Sequence, residues 1–187
     1  KSDKKILDTA WEKLNPEQPI PFKIISSGIQ IDEDRRTGSA ETVRRSLEYL
    51  STITDRKIIG LFDNDREGNE QFKGLNNQIF DQHDLACTYR KHLAKNIFGL
   101  LLVPPEFRVG FVTQNSLTQR YLVIEHLFTN EILEQYNMKG ENILQSNVFE
   151  ISGNKNIFSQ DCVSFGQNEF MGFQKLFDKI EELIAMT

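Results

Sequence analysis

The stretch Ile58-Ile59-Gly60-Leu61-Phe62-Asp63-Asn64-Asp65-Arg66-Glu67-Gly68 decides the fold of this 187-residue chain. Its first five residues form an apolar run with β-branched side chains, which predicts a central parallel strand covered on both faces. Asp63 and Asp65 follow at the predicted carboxyl end, where open α/β sheets place their ligands. Because side chains alternate along a strand, both carboxylates are expected to point one way while Asn64 points away.

Two carboxylates that converge repel each other unless a cation joins them. Mg²⁺ prefers oxygen ligands and keeps several waters, so it suits Asp63 and Asp65, while Gly68 relieves crowding where the loop turns into a helix. The alternative is that the aspartates only form the loop and cap the helix, since a lone D-x-D pattern is weak evidence. The context of a buried strand favours the metal site over that alternative.

Two other aspartate motifs begin in the same way. An EF-hand loop needs a bidentate Glu at its twelfth position and a helix before it, but this chain has Gly74 there and a predicted strand before Asp63. The EF-hand is therefore excluded. Haloacid-dehalogenase phosphatases also place D-x-D after a buried strand, which usually opens the domain. Two helices and a strand are predicted before this one, so the phosphatase stays open as a weaker alternative.

Predicted helices and strands alternate on both sides of this strand. The helices are predicted over residues 2–14, from a cap at Thr37 or Ser39 through Leu50, and over 68–80, and the further strands over 22–26, 85–89 and 97–103. This alternation predicts βαβ units and an α/β domain with a parallel sheet over residues 1–103. After a boundary at Pro104-Pro105, helices are predicted over 117–135 and from Phe170 to Leu183, in a mainly helical extension over residues 104–187.

Composition limits the class of protein. Hydrophobic residues make up 39% and charged residues 26% of the chain, as in soluble globular proteins. The net charge of −5 argues against coating nucleic acid through bulk charge, although a carboxylate-rich metal site is compatible with it. No apolar run reaches the roughly 18 residues of a membrane span. Cys87 and Cys162 lack metal-ligand spacing, so they are interpreted as reduced thiols of a cytoplasmic protein.

On these motifs the chain resembles a Toprim domain. Ile59 to Gly68 resembles the D-x-D segment of that family, and Lys1-Ser2-Asp3 resembles the end of its E-G-K-S-D run. Phe22 to Gly28 resembles its second strand, and Gly38-Ser39-Ala40 the start of the next helix. The resemblance implies a Toprim-like parallel sheet flanked by helices. The first strand and its Glu are missing from this chain, so either they lie upstream of Lys1 or the domain has lost them. Because a sheet that lacks a central strand would expose large apolar faces, an upstream position is expected.

The second half of the chain narrows the resemblance. Val123 to Phe128 resembles the I-E-N-Y-L-like helix that follows the Toprim core in OLD-family (overcoming lysogenization defect) nucleases and related anti-phage defence proteins. Gly153 to Phe158, followed by Phe170 to Ile180, resembles their closing Lys and terminal helix. These similarities are looser than the D-x-D motif and rest on order and spacing.

The resemblance implies roles for five residues. Asp3, Asp63 and Asp65, together with the missing Glu, would bind one or two Mg²⁺ ions, with Mn²⁺ as a possible substitute, and the metal would activate water for phosphodiester hydrolysis without a covalent intermediate. Glu125 and Lys155 are further catalytic candidates, Lys155 because a cation stabilises negative charge that develops on phosphate. Each has a structural alternative: a helix cap for Asp3, a solvated helix edge for Glu125 and a surface position for Lys155.

Other charged residues carry weaker hypotheses. A basic cluster that could contact a phosphate backbone consists of Arg35, Arg36, Arg44 and Arg45, but Glu41 and Glu48 on the same helix explain it equally well. His126 is interpreted as a packed or surface histidine rather than a general base, and His83 and His92 have no ligand spacing.

The predicted function is that of a Mg²⁺-dependent endonuclease acting on DNA or RNA, within a larger bacterial anti-phage defence protein. OLD-like nucleases are joined to an ATPase, and the chain contains no G-x-x-x-x-G-K-[ST] motif, so an ATPase is expected upstream or on a partner, together with homo-oligomerisation. One alternative is a catalytically inactive Toprim-fold interaction or sensor module, supported by the missing Glu. Primase-like nucleotidyl transfer is a third interpretation, but it needs a basic platform that this acidic chain does not show.

Overall fold

The computed structural model describes residues 2–27, 39–112, 116–143 and 146–186, and the fold it shows is mixed α/β. In chain order its elements are α1 (Ser2–Leu14), α2 (Ala40–Ile53), β1 (Ile58–Phe62), β2 (Asn64–Asp65), α3 (Arg66–Lys73), β3 (Tyr89–Lys91), β4 (Ile97–Leu101), β5 (Tyr121–Leu122), α4 (Asn130–Gln135), β6 (Lys139–Asn142), β7 (Phe149–Ile151), α5 (Lys155–Asp161) and α6 (Gln174–Ala185). Short 3-10 helices cover Glu106–Phe111, Leu117–Gln119, Ile124–Leu127, Cys162–Ser164 and Asn168–Phe173. None of the helices in these ranges is long and apolar enough to cross a membrane.

A three-stranded sheet in the order β1-β4-β3 organises the first half of the chain. Strands β1 and β4 run parallel, with Gly60 opposite Gly99, and β3 pairs antiparallel with the other edge of β4. Two smaller antiparallel pairs join β2 to β5 and β6 to β7. The predicted α/β class is therefore confirmed at the level of a parallel pair, whereas the sheet is mixed rather than wholly parallel.

The central strand of the sheet is β4, not β1. All five residues of β4 are buried, and they alternate between two cores: Phe98 and Leu100 face a large core, while Ile97 and Leu101 face a small one. The small core contains Leu47, Phe62, Phe72, Leu75, Phe80, Ile97 and Leu101. In the described part of the chain β1 pairs on one side only, so the prediction of a central β1 was wrong, because β-branched apolar residues suit both positions.

Helix α2 packs directly on β1. Ser39 caps it by accepting a hydrogen bond from the Thr42 amide, as predicted, while Thr37 lies outside the described residues. A Cβ added at Gly60 would lie 2.5 Å from Leu47 Cδ1, so the glycine lets the helix approach the strand closely.

The predicted strand at 22–26 does not form. Residues 22–26 make no strand pairing within the described residues, and a lone extended segment gains nothing from its backbone groups without a partner strand. The segment is instead anchored by Phe22, whose ring lies 5.1 Å from that of Trp11 and 6.5 Å from that of Phe177. Ile25 is 74% exposed.

The predicted helix at 117–135 is also wrong. The structure breaks it into two short 3-10 helices, strand β5 and helix α4. Five successive residues, Ile124 to Phe128, are buried, and a helix on the surface of a domain cannot bury every residue of a full turn. The helix prediction rested on the spacing of apolar residues, and the burial of five residues in succession is incompatible with it.

Helix α3 ends earlier than predicted, at Lys73 instead of Phe80. The fully buried guanidinium of Arg90 donates to the carbonyl oxygens of Phe72, Lys73 and Leu75, at 3.0–3.1 Å, and so satisfies the end of the helix from β3. The strand predicted at 85–89 correspondingly begins only at Tyr89. The predictions for α1, β4 and the C-terminal helix are confirmed within a few residues.

The large core joins both halves of the chain. It combines α1 and β4 with residues from the 3-10 helix Ile124–Leu127 to α6. Phe128 lies at its centre, with four phenylalanine rings at 5.0–5.9 Å, those of Phe158, Phe165, Phe170 and Phe173. This edge-to-face cluster accounts for much of the high phenylalanine content.

Candidate functional site

Asp63 directly follows β1 and forms the centre of the candidate site. Burial raises the pKa of its carboxyl group well above the usual value, and the negative charges of Asp65, Asp3 and Glu125 raise it further, while Lys155 opposes them. Since charge effects weaken with distance, these five residues, which are spread from position 3 to position 155, lie in the same region of the fold. A carboxylate surrounded by three others is an unfavourable arrangement without a cation.

Asp65 serves as the N-cap of α3. Its Oδ1 accepts a hydrogen bond of 2.7 Å from the Gly68 amide. One oxygen of Asp65 therefore caps the helix, which is the alternative to metal binding that the sequence left open. Gly68 is required by close contact, since an added Cβ would lie 1.9 Å from the Asp63 carbonyl oxygen. The capping bond orients the Asp65 side chain and leaves Oδ2 available for a ligand.

A buried polar network fixes the loop that carries the two aspartates. Asn64 points inward and donates to the Leu102 carbonyl at 3.1 Å, as expected from strand alternation. Asn69, one turn into α3, donates to Asn64 Oδ1 and to the Asp65 carbonyl at 2.9 and 2.7 Å. Arg120 donates to Asn69 Oδ1 at 2.8 Å, from just before β5. These bonds hold β2 against β5 and so position Asp63 and Asp65 on either side of Asn64.

Sequence reasoning missed Asn69 and Arg120. The signal for Asn69 is its spacing of four residues from Asp65, which places both on one side of the first helical turns. Nothing in the local sequence around Arg120 indicates its role, because the asparagines that it contacts, Asn64 and Asn69, lie 56 and 51 positions away.

Glu125 is the most deeply buried carboxylate of the site. Its side chain is fully buried, and its Oε2 accepts a hydrogen bond of 3.0 Å from Lys155 Nζ. Its Oε1 is buried and has no hydrogen-bond partner within the described residues. Burial raises the pKa of Glu125, and Lys155 offsets this only in part. A buried carboxylate oxygen without a partner is costly, and it marks a place for a proton donor or a cation.

Lys155 connects Glu125 with the aspartates. It is the first residue of α5, and its side chain is 45% exposed. Burial alone would lower the pKa of Lys155, but Glu125, Asp63 and Asp3 together raise it above the usual value. Lys155 therefore remains positively charged at the edge of the site, at the start of α5.

Asp3 lies in the first turn of α1, where its Oδ1 accepts a hydrogen bond from the Ser2 hydroxyl. The residue is exposed, and its charge acts on Asp63, Glu125 and Lys155. Packing of α1 against α5 in the large core brings it there.

The chemistry of these donors suits a hard cation. Carboxylate oxygens are the preferred ligands of Mg²⁺, and the orphaned Glu125 oxygen and the strongly raised pKa of Asp63 indicate unbalanced negative charge. As the side chains stand, no group of three or more His, Cys, Asp or Glu residues in the described ranges is placed to hold a metal ion. The donors fit a partly hydrated ion held by few protein ligands, which is the usual way that Mg²⁺ is bound.

The arginines of the basic cluster that the structure describes, and His126, form contacts within the protein. Arg44 donates to Gln71 Oε1 at 2.8 Å, and Arg45 pairs with Glu41 at 2.6 Å, while Arg35 and Arg36 lie outside the described residues. His126 is 1% exposed, its Nδ1 accepts from the Val123 amide at 3.1 Å, and its Nε2 donates to the Phe149 carbonyl at 3.1 Å. It is therefore a packed histidine, in agreement with its interpretation from sequence.

Comparisons of this chain with protein-family models, with curated proteins and with solved structures returned no match.

Proposed function

We propose that this chain carries the metal-dependent centre of a nuclease that hydrolyses phosphodiester bonds in DNA or RNA. The observation that supports the proposal most strongly is the buried Glu125 carboxylate, whose Oε2 accepts a hydrogen bond of 3.0 Å from Lys155 and whose Oε1 has no partner among the described residues. Burial and the charges of Asp65, Asp3 and Glu125 raise the pKa of Asp63 in the same region, and Lys155 opposes them. Clusters of carboxylates with strongly perturbed pKa values are typical of functional sites. The resemblance of Ile59 to Gly68 to the D-x-D segment of Toprim domains agrees with the same chemistry.

The residues divide between metal binding and charge stabilisation. Asp63, the free Oδ2 of Asp65 and Asp3 would hold Mg²⁺, which supplies Lewis-acid activation of water and of the phosphate when bound. Lys155 Nζ presents a positive charge to the phosphate oxygens at the exposed edge of the site. Glu125 Oε1 accepts a proton from the attacking water, since burial raises the basicity of this carboxylate and Lys155 fixes its orientation.

The biological setting follows from the same resemblance. We propose that the nuclease centre belongs to a larger, homo-oligomeric bacterial defence protein against phage, regulated by an ATPase domain or subunit. The absence of a nucleotide-binding P-loop motif from these 187 residues is consistent with an ATPase placed elsewhere.

A nuclease assay on the protein in its full natural length tests this function. Wild type, Asp63→Asn and the control Asp55→Asn would be incubated with plasmid DNA, single-stranded DNA and a tRNA pool, in Mg²⁺, in Mn²⁺ and in EDTA. Asp55 is a suitable control because its side chain is 92% exposed and, among the described residues, its ion pair is with Lys95 at the surface. Metal-dependent cleavage that is lost in Asp63→Asn and kept in Asp55→Asn is the expected result.

Metal binding provides the result that would refute the proposal. Isothermal titration calorimetry on wild type is expected to show Mg²⁺ binding that Asp63→Asn loses. If wild type binds neither Mg²⁺ nor Mn²⁺ at millimolar concentration, the catalytic interpretation is wrong and an inactive interaction module takes its place.

A further inference from the structure

A polar cavity is lined by none of the five residues of the candidate metal centre. Its volume is about 470 Å³, within the range of small-molecule sites, and it opens between the 3-10 helix Glu106–Phe111, the start of α4 and the β6-β7 hairpin. The residues that line it are Phe107, Arg108, Gly110, Phe111, Asn130, Lys139, Asn142, Asn147 and Val148. They include two cations, three asparagines and two aromatic rings, and none of these described lining residues is a carboxylate.

Arg108 is a buried cation that forms no direct ion pair in the described part of the chain, although the charge of Glu131 acts on it. It is 3% exposed, and it donates to the carbonyl oxygens of His126 and Phe128 at 2.9 Å and to Asn130 Oδ1 at 2.7 Å. Its guanidinium carbon lies 5.0–5.1 Å from three ring centroids, those of Phe107, Phe111 and Phe149. Neutral acceptors and ring faces hold the guanidinium rigidly but do not neutralise its charge, which favours an anion in the cavity.

Lys139 adds a second positive charge at the cavity wall. Its Nζ pairs with Glu134 and lies 5.4 Å from the centroid of Phe149, with the side chain 25% exposed. Glu134 and the exposed Glu131 balance part of this charge from outside the lining. Arg108 and Lys139 therefore place two positive charges in the cavity lining, and none of its described lining residues is a carboxylate.

The remaining lining residues suit a nucleobase. The side-chain amides of Asn130, Asn142 and Asn147 offer both donors and acceptors, which is what the edge of a base requires. Phe107 is 48% exposed and can present a ring face, and base stacking on an aromatic ring tolerates any base. Inorganic phosphate alone would use the cations and leave these groups without a role.

We propose that this cavity, the Arg108 cavity, binds one nucleotide unit, with the phosphate at Arg108 and Lys139 and the base against Phe107 and the asparagine amides. The unit is either a free nucleotide or one residue of a nucleic-acid strand, since both present the same phosphate and base. The inference does not depend on the proposed nuclease activity, because it uses none of the carboxylates around Asp63.

The Arg108 cavity adjoins the candidate metal centre along the chain. In the 3-10 helix Ile124–Leu127, Glu125 directs its side chain to Lys155, while the next residue, His126, gives its carbonyl oxygen to Arg108. Arg108 therefore links a nucleotide in the cavity to the short segment that carries Glu125. This position suits a second contact of a strand bound at the metal centre, or a regulator of it.

Binding of adenosine monophosphate in EDTA tests the proposal without metal or cleavage. Titration calorimetry would compare AMP with inorganic phosphate on wild type, Lys139→Gln, Phe107→Leu and the control Lys179→Gln. Lys179 is matched to Lys139, since it also pairs with a glutamate, Glu182, lies 4.7 Å from a ring centroid, that of Tyr89, and has a 20% exposed side chain. These lysine variants avoid Arg108, whose removal would leave buried carbonyl groups without partners and threaten the fold.

Wild type is expected to bind AMP saturably below about 1 mM and more tightly than phosphate. Lys139→Gln is expected to weaken AMP binding about tenfold, as loss of a charge-assisted hydrogen bond does, and Lys179→Gln to leave it unchanged. Phe107→Leu should weaken AMP binding several-fold without changing phosphate binding. Competition by a ten-nucleotide single strand distinguishes the two possible ligands. If the strand displaces AMP, the cavity binds one residue of a nucleic-acid strand. If the strand does not displace AMP, the cavity binds a free nucleotide.

Three results would overturn the proposal. These are no AMP binding at millimolar concentration, equal losses in Lys139→Gln and Lys179→Gln, or equal affinity for AMP and phosphate with no effect of Phe107→Leu. Because the titrations contain EDTA and measure binding only, none of these outcomes bears on the nuclease proposal, and loss of cleavage in Asp63→Asn does not bear on the cavity.

Discussion

At the scale of single residues, Asp63 is well placed to bind a cation, but its negative charge destabilises the metal-free fold. Burial and three neighbouring carboxylates raise its pKa, so the ionised form destabilises the fold wherever no cation is bound. For a carboxyl group whose pKa is raised on folding, the stabilising contribution is present at low pH and is lost as pH rises through the folded value. At neutral pH without metal, Asp63 therefore lowers the free energy of unfolding.

Replacing Asp63 by Asn is expected to stabilise the metal-free protein. In EDTA at pH 7 the free energy of unfolding of Asp63→Asn should exceed that of wild type by about 0.5–2 kcal/mol, the usual range for relief of strain at a functional site. Mg²⁺ should raise the melting temperature of wild type and leave that of the variant unchanged. Thermal and urea unfolding with and without Mg²⁺ measure both effects. A variant that is less stable than wild type in EDTA would contradict the assigned electrostatics.

His126 provides the clearest pH dependence. Burial, followed by the positive charge of Arg108, lowers its pKa to about 3, and protonation of Nδ1 would break the bond from the Val123 amide. Because the pKa is about 6.5 in the unfolded chain, the stabilising effect of neutral His126 is complete above pH 6.5 and declines as pH falls toward 3. The slope contributed by this one group is at most about 1.4 kcal/mol per pH unit.

The variant His126→Gln is expected to remove that slope. Between pH 6.5 and 4.5 the free energy of unfolding of the variant should fall less steeply than that of wild type, by up to the equivalent of one proton. His83→Gln is the control, since His83 is only partly buried and a smaller change is expected. Urea titrations at several pH values measure the slopes, and equal slopes in His126→Gln and wild type would show that His126 is not buried in its neutral form.

At the scale of elements, the start of α3 depends on one glycine. A Cβ at Gly68 would lie 1.9 Å from the Asp63 carbonyl, whereas a Cβ at Gly110 would meet no atom within 4 Å. Gly68→Ala is therefore expected to lower the free energy of unfolding by about 1–3 kcal/mol, and Gly110→Ala to change it by about 0.5 kcal/mol or less. Urea denaturation of both variants tests the contrast. Similar values for the two would mean that the loop between β1 and α3 is not packed as closely as described.

Helix boundaries show how elements depend on distant partners. Helix α2 begins where its cap predicts, because Ser39 and Thr42 interact locally. Helix α3 ends at Lys73 because Arg90, 17 residues later, satisfies its last carbonyl groups. The helix predicted at 117–135 fails because burial of Ile124 to Phe128 follows from the core around them. Capping residues in the sequence predict where a helix starts, but the sequence near a helix does not show which distant residues will end or replace it.

At the scale of the whole molecule, the large core contains residues from both halves of the chain, so the protein is expected to unfold as one cooperative unit. The single Trp of the chain, Trp11, is 2% exposed in α1 and lies 5.2 Å from Phe177 in α6, so its fluorescence reports on contacts between the two ends of the chain. Urea unfolding followed by Trp11 fluorescence and by far-UV circular dichroism is expected to give coincident transitions.

A substitution far from Trp11 tests this cooperativity. Phe128→Leu, at the centre of the large core, should lower the free energy of unfolding by about 1 kcal/mol and so move both transitions to lower urea concentration. Phe107→Leu, at a half-exposed position, should lower the free energy of unfolding less. Two separate transitions, or a shift in only one signal, would show that residues 1–103 and 104–187 unfold independently.

The sequence by itself determined the features that depend on neighbouring residues. Strand β1, the turn of Asp63 to Gly68, the inward position of Asn64 and helix α1 follow from periodicity, capping and sterics within a few residues. Only the tertiary structure decided that β4 is central, that residues 22–26 join no strand of the described part of the chain, and that Glu125 and Lys155 pair near Asp63. The physical reason is that the burial of a charge, and the lack of a partner for the Glu125 oxygen, depend on which distant segments exclude water, and local periodicity carries no information about them.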